Sequence, residues 1–149
     1  MTTDELYFEL FDGGDLVRLE PLELQYQDSK HDWDKNWIKT LITIKGGAFS
    51  GKFQADFMTV DFEKFKQELT RLYDDLKGST SFYGMEDYLE LKIKGDGHGH
   101  FNVDIIACDG LGSKLNFSLA FDQTQIKELV RQLDKITKHF PIAGHIHFK

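Results

Sequence analysis

The sequence predicts an α+β fold, in which a twisted antiparallel sheet of about 7–8 strands carries two amphipathic helices on its apolar face. Two observations lead to this class. Most of the chain alternates apolar and polar residues with period two, as half-buried strands do, and such alternation favours antiparallel pairing. Two segments, 61–77 and 122–139, switch to the helical period.

The strands are predicted from runs that place apolar residues on one face and polar residues on the other. The clearest run is 49–58, in which Phe49, Phe53 and Phe57 share a face. Glycine-rich turns separate several runs and fit hairpin connections. The remaining predicted strands are 22–26 (with Leu22, Leu24 and Tyr26 on one face), 38–44, 89–94, 101–105 and 113–121, with weaker candidates at 5–11 and 79–84.

Both predicted helices have similar start signals. Asp61 is a candidate N-cap for the first helix, and Gly78 is a candidate residue for its end. Asp122 is the corresponding N-cap of the second helix, with Gln125 at the capping-box position, and Pro141 ends that helix. The chain therefore divides into two similar halves, each a meander of strands closed by a helix, produced either by duplication or by similar local signals.

The length of 149 residues is sufficient for one domain, 1–149, in which 1–15 and 142–149 are candidates for loosely attached ends. No apolar run approaches the ~18 residues needed to span a bilayer, and the acidic start of the chain is unlike a secretory signal. Cys108 is the only cysteine and is expected to be a small buried residue. These features indicate a cytoplasmic protein without a membrane partner.

Negative charge is concentrated at the start of the chain. The chain has 25 Asp and Glu against 18 Lys and Arg, and residues 1–34 carry ten of those acids but two bases. The remaining residues carry 15 acids and 16 bases. The acidic run ends in an aromatic cluster containing Trp33 and Trp37, of which Trp37 is expected to open a strand. This balance argues against nucleic acid, which needs a basic patch, and favours a basic partner.

Residues that could carry chemistry are few. Asp96, His98 and His100 form the best metal candidate, although Gly, Asp and Asn are also the usual residues of a hairpin turn, and a metal site needs three or four converging ligands. His145 and His147 in the C-terminal segment are a second, weaker metal candidate. No catalytic motif is recognised, so the sequence predicts no catalytic residue, no cofactor and no enzyme activity.

Several runs resemble one small bacterial family. They include Asp-Trp-Asp-Lys-Asn-Trp-Ile at 32–38, Gly-Gly-Ala-Phe-Ser-Gly-Lys-Phe-Gln-Ala at 46–55, Phe-Lys-Gln-Glu-Leu-Thr-Arg-Leu-Tyr at 65–73, Leu-Lys-Ile-Lys-Gly-Asp-Gly-His-Gly-His at 91–100 and Lys-Leu-Asn-Phe-Ser-Leu-Ala-Phe-Asp-Gln-Thr at 114–124. In order, they resemble the WapI-like immunity proteins over residues 16–141. The resemblance implies cytoplasmic neutralisation of a toxin delivered between bacteria, often a basic nuclease.

The leading hypothesis is a non-enzymatic binding protein that masks a basic toxin domain through a 1:1 interface, with Asp28, Asp32, Trp33 and Asp34 as contact residues. A small-ligand or metal module at Asp96, His98 and His100 is the main alternative, and an enzyme whose residues converge only in the fold is a third. The polar face of the sheet is a competing binding surface. It is represented by Lys52, Gln54, Glu90, Lys92, Lys94, Asn102 and Asn116.

Overall fold

Eight strands and two helices form the fold, which the computed structural model describes over residues 5–144. The strands lie in two four-stranded antiparallel sheets, ordered β1-β2-β3-β4 and β5-β6-β7-β8. In chain order the elements are β1 (Phe8–Asp12), β2 (Asp15–Leu24), β3 (Trp37–Gly46), β4 (Phe49–Met58), α1 (Thr59–Asp75), β5 (Lys77–Tyr83), β6 (Leu89–Asp96), β7 (His100–Cys108), β8 (Lys114–Asp122) and α2 (Gln123–His139).

The α+β class, the antiparallel strands and the two helices are confirmed, and Trp37 opens β3 as expected. The strands divide between two sheets, however, where the sequence analysis predicted one. The division falls at α1, which has 17 residues. This helix interrupts the meander, and β5, the strand that follows it, pairs with β6 and not with β4.

Each half of the chain is a four-stranded meander followed by a helix of 17 residues, as the sequence predicted. Asp122 is confirmed as the N-cap of α2: its Oδ1 accepts hydrogen bonds from the N–H groups of Thr124 at 3.0 Å and Gln125 at 3.4 Å. Gln125 Oε1 accepts the Asp122 N–H at 3.2 Å in return, which completes a capping box. Along residues 5–144, no helix combines the length and apolar character needed to cross a membrane.

The ends of α1 differ from the prediction. The helix begins at Thr59, and Asp61 lies inside its first turn, where Oδ2 accepts the Met58 N–H at 2.8 Å. Asp61 therefore satisfies an amide at the helix start without being the N-cap. At the other end, Leu76 is the C-cap residue, in the left-handed conformation with φ of 61°, whereas Gly78, whose φ of 112° is also positive, already lies in β5. Hydrogen bonds hold Leu76 in place: its N–H donates to the Leu72 carbonyl at 2.7 Å, and its carbonyl accepts the Gly97 N–H at 2.9 Å.

The core is one buried cluster formed by the inner faces of both sheets and by the two helices. A group of phenylalanines from both halves occupies it, with neighbouring ring centroids 5.1–6.2 Å apart. Such tilted and edge-to-face ring pairs are favourable beyond the area they bury. The group consists of Phe8 (β1), Phe57 (β4), Phe62 and Phe65 (α1) and Phe82 (β5).

The early strand lies earlier in the chain than the predicted 22–26, and the predicted apolar face is wrong at Leu22 and Tyr26. Val17 and Leu19 are buried as expected of a strand face, but the register with β3 shifts between Pro21 and Glu23. Leu22 is exposed because it alternates with the buried residues 17, 19 and 21, and Tyr26 lies beyond the end of β2, also exposed. Beyond the bulge, Leu24 packs partly buried against the core.

Candidate functional site

A cleft of about 770 Å³ lies where β2 ends, β3 begins and the β5–β6 connection passes. Among residues 5–144, four of the side chains that line it are acidic, and none is Lys, Arg or His. We call it the acidic cleft, and its lining residues are Gln25, Tyr26, Gln27, Asp28, Ser29, Asp34, Trp37, Asp56 and Glu86. The concentration of four carboxylates gives this surface a negative potential that favours cationic groups.

The longest wall of the cleft is the segment 26–36 between β2 and β3, which we call the acidic loop. A backbone hydrogen bond from Gln25 N–H to the Trp37 carbonyl, at 3.0 Å, closes its base. Inside the loop, Ser29 N–H donates to the Tyr26 carbonyl at 3.1 Å, and Asp34 N–H donates to the His31 carbonyl at 3.1 Å. The loop is therefore a defined structure made of successive turns, ending in a short 3₁₀ helix, Asp34–Asn36.

The four carboxylates of the cleft differ in how far they are engaged. Asp56 Oδ1 accepts a hydrogen bond from Gln25 Nε2, and Asp34 Oδ2 lies 3.5 Å from the Ser29 hydroxyl that donates to it. Asp28 and Glu86 are exposed and make no hydrogen bond or ion pair within residues 5–144. These two carboxylates therefore keep their full capacity for a cation from outside the molecule.

The structure brings two of the four predicted contact residues to the cleft wall, Asp28 and Asp34. Trp33 lies on the same loop with 40% of its surface exposed, but it does not line the cleft. The Asp32 carboxylate lies 3.5 Å from Lys35 Nζ and packs against Gly144. The assignment of all four residues to a binding surface stays a prediction.

Asp56 and Glu86 line the cleft, but nothing in the sequence alone indicates them as site residues. Asp56 lies on the polar face of β4, opposite Lys39 in the strand register, and resembles an ordinary solvated position. Glu86 belongs to the β5–β6 connection, about 50 residues from the acidic loop, and no local pattern links the two. Their proximity to Asp28 arises only when both sheets are folded.

The acidic N-terminal segment does not form one continuous acidic surface. Three of its carboxylates surround Arg18, whose guanidinium nitrogens lie 2.9 Å from Glu5, 3.5 Å from Glu9 and 3.2 Å from Glu20. The same guanidinium lies over the Tyr7 ring, 3.8 Å from its centroid. These acids stabilise the outer face of the first sheet, and the acids of the loop contribute to the cleft.

Exposed aromatic and methionine side chains lie in the wall of the cleft and close in sequence to its lining residue Glu86. Tyr26 is 51% exposed in its wall, and Met85, next to Glu86, is 65% exposed. Tyr83, the last residue of β5, precedes Met85 and Glu86 in sequence and is also exposed. Aromatic residues and methionine are enriched in protein–protein interfaces relative to the rest of a protein surface. The cleft and its surroundings therefore combine negative charge with the apolar side chains that interfaces use.

The candidate metal turn is a hydrogen-bonded hairpin connection. Asp96 Oδ1 accepts the N–H groups of His98 at 2.7 Å and His100 at 3.2 Å, and Oδ2 lies 3.2 Å from His100 Nδ1. The hydrogen bond from the His98 N–H, with that from His100, lowers the pKa of the Asp96 carboxyl. Among residues 5–144, no three His, Cys, Asp or Glu side chains are grouped so as to hold a metal ion. His145 and His147 lie outside the described residues.

The residues predicted to form one competing polar face are divided between the two sheets. Lys52 and Gln54 lie on β4 of the first sheet, whereas Lys92 and Asn102 lie on neighbouring strands of the second. Glu90, Lys94 and Asn116 also belong to the second sheet. Neither polar face therefore contains the whole predicted set.

Cys108, expected to be buried, is partly exposed at the end of β7.

Solved structures share this fold at low sequence identity. One is the MRP1/MRP2 structure from Trypanosoma brucei, with a TM-score of 0.53, 10% identity, 92% of this chain and 87% of that chain covered. A second is a guide-RNA-binding protein complex bound to a guide RNA, with a TM-score of 0.52, 9% identity and 91% of each chain covered. WHY1 from Arabidopsis thaliana matches with a TM-score of 0.48 and 13% identity, over 100% of this chain and 99% of that one.

No curated protein sequence matches the chain. The model of one protein family does match, and it covers residues 8–141, from the first residue of β1 to the residue that follows α2 and Phe140. The matched region includes both sheets, both helices and every residue of the acidic cleft. The chain therefore belongs to the immunity protein WapI-like family.

Proposed function

We propose that this chain is an immunity protein that neutralises a toxin domain in the cytoplasm by binding it, without catalysis, through the acidic cleft and the exposed Trp33 beside it. The observation that carries the proposal is the set of four carboxylates, Asp28, Asp34, Asp56 and Glu86, in one cleft that has no lining base in the described part of the chain. Membership of a family of immunity proteins supports a protein partner and favours binding over enzymatic activity. The partner that fits this surface is a basic face of the toxin.

The charge of the cleft would act mainly on association. A negative surface attracts a basic partner over the distance at which salt does not yet screen it, so it raises the rate at which productive encounters occur. Asp28 and Glu86 lack partners within residues 5–144, so a cationic side chain of the toxin can pair with them without breaking an existing ion pair. These two residues are therefore the expected centres of steering.

Trp33 would act mainly on the lifetime of the complex. Its side chain is 40% exposed, so an interface that covers it removes a large apolar surface from water. Buried tryptophans are among the residues whose truncation costs most in protein interfaces, often about 2 kcal/mol or more. Trp33→Ala should therefore raise the dissociation rate more than it lowers the association rate.

RNA is a poorer fit to this chain, although a guide-RNA-binding complex shares the fold. Nucleic-acid binding depends on Lys and Arg side chains that replace the counterions of the phosphates. Here the acidic cleft has no lining base within residues 5–144, and the chain carries 25 acids against 18 Lys and Arg. The charge therefore supports a basic protein as partner.

The test is binding to the toxin domain encoded beside this chain, produced in a catalytically inactive form. Asp28→Asn with Glu86→Gln should lower the association rate about tenfold and reduce its salt dependence, because steering depends on these charges. Asp74→Asn with Asp75→Asn is the matched control, since it removes the same charge from the exposed end of α1. Equal effects of the two pairs would place the interface elsewhere. The absence of a complex at micromolar concentration would refute the proposed function.

A further inference from the structure

Asn36 is a fully buried polar residue at the end of the acidic loop, and its side-chain amide is completely hydrogen-bonded. Nδ2 donates to the carbonyls of Asp32 at 2.7 Å and Ala143 at 3.0 Å. Oδ1 accepts from the Thr59 hydroxyl at 2.5 Å and from the Ala143 N–H at 2.8 Å. These four bonds use both donors and both acceptor sites of the amide.

The four bonds join three segments that are distant in sequence. Asp32 belongs to the acidic loop, Thr59 is the first residue of α1, and Ala143 lies in the segment that follows α2. The register of the first sheet explains part of this meeting, because Trp37 pairs with Met58 and so places Asn36 beside Thr59. The segment after α2 also packs on the loop: at Gly144, an added Cβ would overlap the Asp32 carboxylate.

Asn36 fixes the backbone on both sides of Trp33. Its side chain holds the carbonyl of Asp32, which precedes Trp33, and its own N–H donates to the Trp33 carbonyl at 3.2 Å. The two peptide groups that flank Trp33 are therefore both bonded to one buried residue. That residue is in turn anchored to α1, whose Phe62 and Phe65 lie in the core.

We infer that Asn36 and Ala143 form a clasp that fixes the acidic loop in the shape that binds the toxin, which makes Asn36 a positioning residue of the proposed interface. The inference rests on the proposed function for its consequence and on the four hydrogen bonds for its mechanism. A loop that is already ordered does not lose conformational entropy when it binds, so the clasp raises affinity without touching the partner.

The test uses the full chain with a substitution that removes one bond of the clasp. Ala143→Pro abolishes the N–H that donates to Asn36 Oδ1, because proline has no amide hydrogen. Ala143→Gly keeps both backbone bonds and is the matched control.

Two readouts separate positioning from general stability. In Ala143→Pro, hydrogen exchange of the amides at 28–36 should accelerate about tenfold or more, with β3 and α1 as protected as in the wild type. Affinity for the inactive toxin domain should fall about tenfold, and Ala143→Gly should match the wild type in both measurements. Faster exchange throughout the core, or unchanged loop exchange, would overturn the clasp. Unchanged affinity for the inactive toxin domain, in a variant whose loop amides exchange faster, would also overturn the clasp.

Asn36→Ala is the stronger perturbation, since it breaks all four bonds, but it leaves several buried polar groups unpaired and can prevent folding. The conclusion therefore depends on Ala143→Pro. Exchange of the loop is measured on the free protein, so it decides the clasp even when the wild type fails to bind the toxin. Failure of the wild type to bind would refute the proposed function alone.

Discussion

Asp61→Asn is expected to stabilise the protein at neutral pH and to remove part of the pH dependence of its stability. Asp61 lies in the first turn of α1, where its carboxylate is partly buried and accepts the Met58 N–H at 2.8 Å. Burial is the largest influence and raises the pKa of the Asp61 carboxyl from 3.8 to about 6, against the opposing effects of the Met58 hydrogen bond and of Lys64. The ionised form is therefore less favourable in the folded state than in the unfolded chain.

The sign of the effect follows from proton linkage. Between the unfolded pKa of 3.8 and the folded pKa of about 6, the folded state binds more protons, so the free energy of unfolding decreases as pH rises. The stabilising contribution is complete below pH 3.8 and is lost as pH rises through 6. At about 1.4 kcal/mol per pKa unit, the displacement corresponds to at most about 3 kcal/mol at pH 7.5, before screening by solvent reduces it.

The amide introduced by Asp61→Asn would keep an oxygen that accepts the Met58 N–H and would carry no charge. The variant would also lose the attraction of a carboxylate to the helix N-terminus, worth about 0.3–1 kcal/mol. The net gain in unfolding free energy should be about 1–2 kcal/mol at pH 7.5, with a difference near zero at pH 4.

Urea unfolding of both proteins across this pH range measures the difference, with Asp74→Asn as a control for net charge on the same helix. A variant no more stable than the wild type at pH 7.5 would refute the reasoning. A difference between variant and wild type that does not change between pH 4 and pH 7.5 would refute it as well.

Two further substitutions test the packing and the helix signals. Gly46→Ala should destabilise the protein by about 1–3 kcal/mol in thermal unfolding, because an added Cβ would lie 2.8 Å from the Phe117 ring. Gly51→Ala is the control and should destabilise the protein less, since its added Cβ would lie 3.5 Å from the Ile44 side chain. Asp122→Ala should cost about 1 kcal/mol by removing the N-cap of α2, whereas Asp122→Asn retains an acceptor and should stay within a few tenths of the wild type in urea unfolding.

The fold was predictable where the determining interactions are local. The strand at 49–58 and the cap at Asp122 depend on residues close in sequence, and both are confirmed, although Phe49 at the start of the strand is exposed and not buried with Phe57. The prediction that Asp61 is the N-cap of α1 is wrong, because Asp61 occupies the third helical position. The sequence does not distinguish these two positions, since an aspartate at either one precedes the same apolar stripe. The division into two sheets was missed, since periodicity describes the faces of a strand and says nothing about its neighbours.

The candidate site was predictable only in its contiguous part. Asp28 and Asp34 belong to one conspicuous acidic run, and both line the cleft. Asp56 and Glu86 arrive from β4 and from the second half of the chain, and each resembles a solvated acid. Asn36 resembles an ordinary loop residue, because the partners that give it a role, Thr59 and Ala143, are 23 and 107 residues away.

Neutralising substitutions can distinguish the acids of the cleft from acids that stabilise the fold. The distinction is whether the substitution raises or lowers the free energy of unfolding of the free protein. Glu9 and Glu20 lie within salt-bridge distance of Arg18, so neutralising them should destabilise the protein slightly. Asp28 and Glu86 share a cleft with two other carboxylates and have no cation of their own within residues 5–144, so their mutual repulsion costs stability and neutralising them should return a few tenths of a kcal/mol. A substitution that stabilises the free protein and weakens the complex is the behaviour expected of a residue kept for binding. Asp61→Asn should stabilise without that second effect, since its carboxylate does not line the cleft. The two kinds of stabilising substitution would then distinguish a charge buried in the fold from a charge held for a partner.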